Sequence, residues 1–168
     1  MTTQATRLKA ITALALGALI ATWATVSIAK STLHSDALLG KWQSAPSESH
    51  FDGAIPYNSA TYTFKRSENG LHVDAEIFEA NIVLRFNYVD LEDGTFVPVT
   101  GNPFYDSEST TWTDEHTAVR TERRQGTTTG TTTFTVAPDR QSYSATASRT
   151  LPTGGLYTSV IVWKRINN

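Results

Sequence analysis

The sequence predicts an all-β fold, an antiparallel up-and-down β-barrel of about ten strands, and three observations predict it. Apolar residues recur with period two along most of the chain, where an amphipathic helix would repeat near every 3.6 residues. Turn-forming clusters of Gly, Asn, Asp and Pro interrupt that alternation roughly every 8 to 12 positions. The connections are short, so successive strands pair as a meander, and a sheet of this size loses its exposed edges by closing on itself. A β-sandwich is the alternative that the same pattern allows.

The chain opens with a different kind of segment. Arg7 and Lys9 have no acidic neighbour, residues 10–29 are almost wholly apolar or small, and the run ends Ser27-Ile28-Ala29. A basic start, an apolar centre and small residues two apart form the layout of a secretory signal helix, cut before Lys30. An apolar run of roughly 20 residues can also span a bilayer uncleaved. Thr12, Thr22, Thr25 and the small-x-small ending favour cleavage. The expected organisation is a signal peptide over residues 1–29, an N-terminal linker over 30–38 and one barrel domain over 39–168, in a protein exported to the periplasm or secreted.

The first barrel strand is expected over 39–43. Ala60, Tyr62 and Phe64 alternate with polar residues, as do Leu71, Val73, Ala75 and Ile77 after the turn Glu68-Asn69-Gly70. Ile82, Leu84, Phe86 and Tyr88 alternate with Val83, Arg85 and Asn87 before the turn Glu92-Asp93-Gly94. Strands over 96–100 and 110–113 follow, then a hairpin of 116–124 and 127–136 across Gln125-Gly126. The threonine tract from Thr127 to Thr135 reads as β-branched strand. Strands over 142–148 and 156–166 complete the set.

Composition excludes several functions. With 168 residues the chain is the size of one domain, and the absence of cysteine removes disulfides, thiolate metal sites, a thiol nucleophile and a lipoprotein anchor. The 14 basic residues against 16 acidic ones form no stripe suited to phosphate, so nucleic acid is not an expected partner. The densest basic cluster, Arg120, Arg123 and Arg124, is interrupted by Glu122 and reads as a solvated strand face with an ion pair.

No catalytic motif stands out. His34, His50, His72 and His116 fall on different segments, and a metal needs three or four converging ligands. His72, Asp74 and Glu76 share one strand face, but a polar face opposite Leu71, Val73 and Ala75 reads as solvated, so neither a metal nor a cofactor is expected. Ser49, His50 and Asp52 are neighbours whose side chains diverge on an extended segment, and Ser49 suits a backbone-capping role better. The carboxylate pairs Glu92-Asp93 and Asp114-Glu115 sit in turns and read as turn chemistry.

The aromatic residues are more informative. Phe96 and Trp163, together with Tyr62, Phe64, Phe86, Tyr88, Trp112, Phe134, Tyr143 and Tyr157, are spread over most strands, and the inward set of a closed barrel either fills it or lines a cavity. These residues, with Arg85 or Arg120 to meet a carboxylate, are the candidate lining of a site for a small hydrophobic or amphipathic molecule.

Gly40-Lys41-Trp42 opens the first strand and Val162-Trp163-Lys164-Arg165 closes the last, and together they resemble the lipocalin and calycin superfamily. The resemblance implies that Trp42 plugs one end of the barrel, with Arg165 packed across it and Gly40 as part of the closure. Ser49-His50-Phe51, Pro56, Asp93-Gly94, Pro98-Val99-Thr100-Gly101-Asn102-Pro103 and Asp106 are similar to motifs of small secreted bacterial lipocalin-like proteins of unknown function. The chain departs from them at Glu79-Ala80-Asn81 and Asp139-Arg140, which bears on two loops.

Three readings follow. The first is a non-enzymatic exported barrel holding one ligand in its interior. The second is a barrel enzyme of isomerase, cyclase or hydratase type enclosing a hydrophobic substrate. The third is an envelope interaction module with a filled barrel, and the membrane is involved only through the signal segment before cleavage.

Overall fold

The computed structural model describes residues 34–52, 57–79, 81–150 and 154–166. The signal peptide and its cleavage site, with Pro56 and Ala80, lie outside the described residues. Among the described residues there are eleven strands: β1 (Gly40–Ser44), β2 (His50–Asp52), β3 (Ser59–Ser67), β4 (Gly70–Glu79), β5 (Ile82–Asp90), β6 (Val97–Pro98), β7 (Ser107–Trp112), β8 (Thr117–Arg124), β9 (Thr127–Val136), β10 (Ser142–Thr150) and β11 (Leu156–Ile166). Ten of them form one antiparallel path in the order β5-β4-β3-β1-β11-β10-β9-β8-β7-β6, and β2 adds to β11 beside it. This is the up-and-down barrel that the alternation predicts, nearly closed. At the seam an antiparallel bridge joins Asn87 of β5 to Thr100, with paired backbone hydrogen bonds of 3.3 Å, and a second joins Asp93, just after β5, to Thr111 of β7.

Three elements differ from expectation. The strand expected over 110–113 runs from Ser107 to Trp112, and its burial does not alternate, since Glu108, Ser109 and Thr110 are all buried. The short β2 pairs His50, Phe51 and Asp52 with Val160, Ser159 and Thr158, and three residues are too few to show an alternation. The strand expected over 96–100 shrinks to Val97–Pro98, because Pro98 lacks the N–H that a longer ladder needs. Elsewhere period two sorts the faces cleanly. Along β9, Gly130, Thr132, Phe134 and Val136 turn inward while Thr131 and Thr135 face solvent.

One end of the barrel is closed. Residues 34–37 of the expected linker form a 3₁₀ turn, and Ser35, Ala37 and Leu38 are buried there. Trp42 is fully buried and its indole N–H donates to the Leu38 carbonyl at 2.7 Å. Arg165 donates to the carbonyls of Leu39, of Arg140 at 2.7 Å and of Ala37 at 3.0 Å. Gly40 is required at this junction, since its φ is +115° and a Cβ would stand 2.6 Å from Arg165 Nη1. Arg66 completes the closure by reaching Glu92 and Asp36, both at 2.5 Å.

Candidate ligand-binding site

The interior is divided. Phe64, Leu71, Val73 and Tyr88 pack the closed half around a void of only about 20 Å³. The other half holds a cavity of about 160 Å³.

Seven side chains make a continuous belt around that cavity. Tyr105 meets Phe86 with ring centroids 6.2 Å apart, Phe86 meets Tyr62 at 5.9 Å, and Tyr62 meets Trp163 at 4.8 Å. Trp163 stacks on Tyr143 at 5.6 Å, and Tyr143 meets Phe134 edge-on at 6.1 Å. Arg120 closes the circuit, its guanidinium 5.0 Å from the Phe134 centroid and 5.7 Å from that of Tyr105. Alternation on six strands sends all of these residues but Tyr105 inward, Tyr105 arriving from the loop before β7, and the offset and edge-on contacts are those that aromatic quadrupoles favour.

The charged floor of the site is set by register. Glu122, Gly130 and Arg149 lie side by side on β8, β9 and β10, and Arg120, Thr132 and Ala147 form the next inward row. Gly130 has no side chain to separate its neighbours, and a Cβ there would stand 2.6 Å from Arg149 Cγ. Arg149 therefore crosses the glycine to grip Glu122 with two bonds, Nε to Oε2 at 2.6 Å and Nη2 to Oε1 at 2.7 Å. Arg120 Nη2 adds a third at 2.8 Å, while its Nη1 donates to the Tyr88 hydroxyl at 3.2 Å. Burial opposes ionisation of Glu122, but the two guanidiniums overcome it and hold the carboxyl down at about 2. Two guanidiniums thus grip one carboxylate, and the Asp90 carboxylate also feels the charge of Arg120.

Glu108 stands next to this cluster, opposite Glu122 across the β7–β8 ladder. It is fully buried, and burial followed by the Asp90 carboxylate pushes its carboxyl up to about 8. Burial likewise raises the Tyr105 and Tyr62 hydroxyls, which remain donors. The Tyr105 hydroxyl, Arg120 Nε and the Trp163 indole nitrogen make no hydrogen bond among the described residues.

The structure places the sequence-derived candidates in three groups. Tyr62, Phe86, Arg120, Phe134, Tyr143 and Tyr157 line the cavity, Tyr157 through a hydroxyl that accepts from Arg149 Nη1 at 3.2 Å. Phe64, Tyr88 and Trp112 line only the small void in the closed half. Arg85 is a correction: it lies on the outer face, two-thirds exposed and paired with Glu76 at 2.7 Å, because Phe86 beside it takes the inward position. The solvated reading of Arg120 and Glu122 is also corrected. Their ion pair is real but buried, since even-numbered positions of β8 face inward. Only Arg124, beyond the bulge between Glu122 and Arg123, is exposed.

Sequence reasoning missed Tyr105 and Arg149 as lining residues, and it counted Trp163 only among the aromatics that fill the barrel or line its cavity. Arg149 had a signal, because it continues the inward series Tyr143, Ala145, Ala147. Tyr105 lies outside any strand and had none. His72 faces Asp74 at 3.1 Å on the outer surface, where Glu76 is already engaged by Arg85. The turn carboxylates Asp93 and Asp114 accept from the backbone N–H of Thr95 and His116, each at 2.8 Å. The Ser49 hydroxyl donates to the Ala45 carbonyl at 2.8 Å and accepts from Val162 N–H at 3.0 Å, a purely structural bridge.

No protein-family model matches the sequence, and no curated protein matches it. Among solved structures, the zebrafish ileal bile acid-binding protein complexed with cholic acid is similar to this chain. The identity is 10%, the match covers 77% of this chain and 99% of that one, and the TM-score is 0.48. The siderocalin Ex-FABP, described as functioning through dual ligand specificities, is similar at 11% identity, over 77% of this chain and 74% of that one, with a TM-score of 0.42.

Proposed function

We propose that this protein binds one small amphipathic molecule in the interior of its barrel, and that it works outside the cytoplasm after cleavage before Lys30. The single observation that carries the binding reading is the closed belt of six aromatic rings and one guanidinium around an internal cavity. A barrel built only as a scaffold has no need of such a space, since protein interiors otherwise pack to near-crystalline density. The apolar belt suits the body of the ligand and the cationic floor suits a polar end.

The charged groups at the floor favour binding over turnover. Arg120 and Arg149 stay cationic, and Glu122 stays ionised at neutral pH, so none of the three exchanges a proton as a general acid or base would. Export rests on Arg7 and Lys9, the apolar run and the Ser27-x-Ala29 ending. The resemblance of Gly40-Lys41-Trp42 and Pro98 to Pro103 to secreted bacterial lipocalin-like proteins supports the same view.

Native mass spectrometry of the protein purified from its own host, before and after denaturing extraction, tests both parts. A reproducible bound small molecule on a chain that begins at Lys30 is the expected result. A chain free of any bound molecule, both as isolated and after incubation with host extract, overturns the binding reading, and an intact Met1 overturns cleavage.

A further inference from the structure

From the way the interior charges are already committed we infer that Glu122 sets the specificity of the cavity. It holds both interior guanidiniums as a built-in counter-ion, so the cavity rejects carboxylates and takes an uncharged molecule of single-ring size. The polar end of that molecule is a hydroxyl or a carbonyl group. The inference rests on the interior-binding reading and narrows it to one chemical class.

Among the described residues, the charged side chains on the cavity wall are Glu79, Arg120 and Arg149. Every nitrogen of Arg149 has a partner within the protein. Nε and Nη2 bind Glu122 at 2.6 and 2.7 Å, and Nη1 donates to the Tyr157 hydroxyl at 3.2 Å. Arg120 gives Nη2 to Glu122 at 2.8 Å and Nη1 to the Tyr88 hydroxyl at 3.2 Å, and its Nε is buried. Gly130 shows that this pairing belongs to the strand ladder, since a Cβ there would stand 2.6 Å from Arg149 Cγ and 3.2 Å from Glu122 Oε2. Neither guanidinium is left free for an anion that enters from outside.

A ligand carboxylate would have to share Arg149 with Glu122 or displace it, and two carboxylates repel strongly where water is excluded. Glu79 adds another carboxylate to the same wall. An ammonium is opposed as well, because it would be buried beside two guanidiniums whose counter-charge is engaged. The wall's uncharged hydroxyls are on Tyr62, Tyr143 and Ser159 among others, and burial keeps the two phenols protonated. A hydroxyl both donates and accepts, which suits a neutral hydroxyl or carbonyl on the ligand. Size sets the remaining limit. The cavity of about 160 Å³ matches the space of about 150 Å³ known to admit a benzene ring. It falls well below the roughly 300 to 1,000 Å³ of sites for larger ligands, so a fused polycycle has no room unless the walls move apart.

Calorimetric titration of the host-purified protein with benzyl alcohol, benzoate, benzylamine and 2-naphthylmethanol tests the assignment. Benzyl alcohol should bind about ten-fold or more tightly than the other three. Glu122→Gln frees the guanidiniums, so it should raise the affinity for benzoate about ten-fold and leave that for benzyl alcohol within about two-fold. A loss of packing alone would weaken both probes together. Benzoate or benzylamine binding to the parent as tightly as benzyl alcohol overturns the uncharged class, whether or not the variant folds. Equal binding of 2-naphthylmethanol overturns the single-ring limit, and a folded Glu122→Gln protein that still rejects benzoate overturns the role of Glu122. These three outcomes leave interior binding intact. Failure of all four probes, on a protein whose native mass shows a bound molecule, overturns the ligand class alone. The same failure on a protein without one overturns the interior-binding reading as well.

Discussion

The guanidinium of Arg165 lies over the Trp42 indole, 4.2 Å from the ring centroid, and joins the last strand of the barrel to the first. The plane of the indole is thereby held between a cation on one side and the core on the other, where Tyr143 meets it edge-on at 4.9 Å. Removing Trp42 removes a fully buried side chain and its hydrogen bond to Leu38. Trp42→Ala is expected to cost about 3 to 5 kcal/mol in urea denaturation. Arg165→Ala should cost less, through lost packing and two or three uncapped carbonyls. Variants that melt with the parent would show that this end is not closed by the pair.

Glu122 couples stability to acid. Its carboxyl sits at about 2 in the fold against an ordinary 4.5, so the folded state prefers the ionised form. The resulting stabilisation is fully present above pH 4.5 and is lost as the pH falls through 4.5 towards 2. The difference corresponds to roughly 3 kcal/mol. Glu122→Gln should therefore lower stability at pH 7 by about 3 kcal/mol or more, since it also leaves two buried guanidiniums without a counter-charge. It should also flatten the acid limb of a stability profile measured from pH 6 to 2. A variant that keeps the parent's acid limb would place the titration elsewhere.

Glu108 acts in the opposite direction. Its carboxyl is raised to about 8 from 4.5, so the fold holds a proton that the unfolded chain releases. The stabilisation from that proton is complete below pH 4.5 and is lost as the pH rises through 8. The full span is on the order of 5 kcal/mol at most. Asp90 and Glu122 both oppose a third negative charge there, and the Thr110 hydroxyl donates to Glu108 Oε2 at 3.2 Å. Glu108→Gln should thus gain stability relative to the parent between pH 5 and pH 9, read from denaturation midpoints across that range. A constant difference between the two proteins would exclude a proton held at Glu108.

How far these features were legible in the sequence depends on what alternation can carry. Period two divides each strand into two faces, and with the turn signals it located the barrel strands, the apolar face of Tyr62, Phe64, Leu71 and Val73 proving to be the inner one. It does not say which face is inner where both are polar. Arg120 and Glu122 were readable as an ion pair, yet burial of so much charge becomes plausible only when Arg149 arrives from a strand 27 positions further along. Arg85 shows the cost of leaving that pattern, since its own neighbour Phe86 already excluded it from the interior. Tyr105 was invisible for a different reason. A loop has no period, and the position of its ring against Phe86 is fixed only by the tertiary fold.

Gly130 offers the sharpest test of the floor of the site. It stands between Glu122 and Arg149 in the ladder, and its missing side chain is what lets the arginine cross. Gly130→Ala places a methyl 2.6 Å from Arg149 Cγ, with the Ser148 carbonyl at 3.1 Å and Glu122 Oε2 at 3.2 Å. The arginine must swing away, and Glu122 keeps Arg120 alone. Arg149→Ala removes the same pair of bonds by deleting the donor and leaves room for the methyl. The two substitutions should therefore not add. Gly130→Ala is expected to cost about 2 kcal/mol or more in the parent and less than half of that in the Arg149→Ala background, as a double-mutant cycle would measure it. Equal costs in both backgrounds would mean that Gly130 serves the strand and not the ion pair.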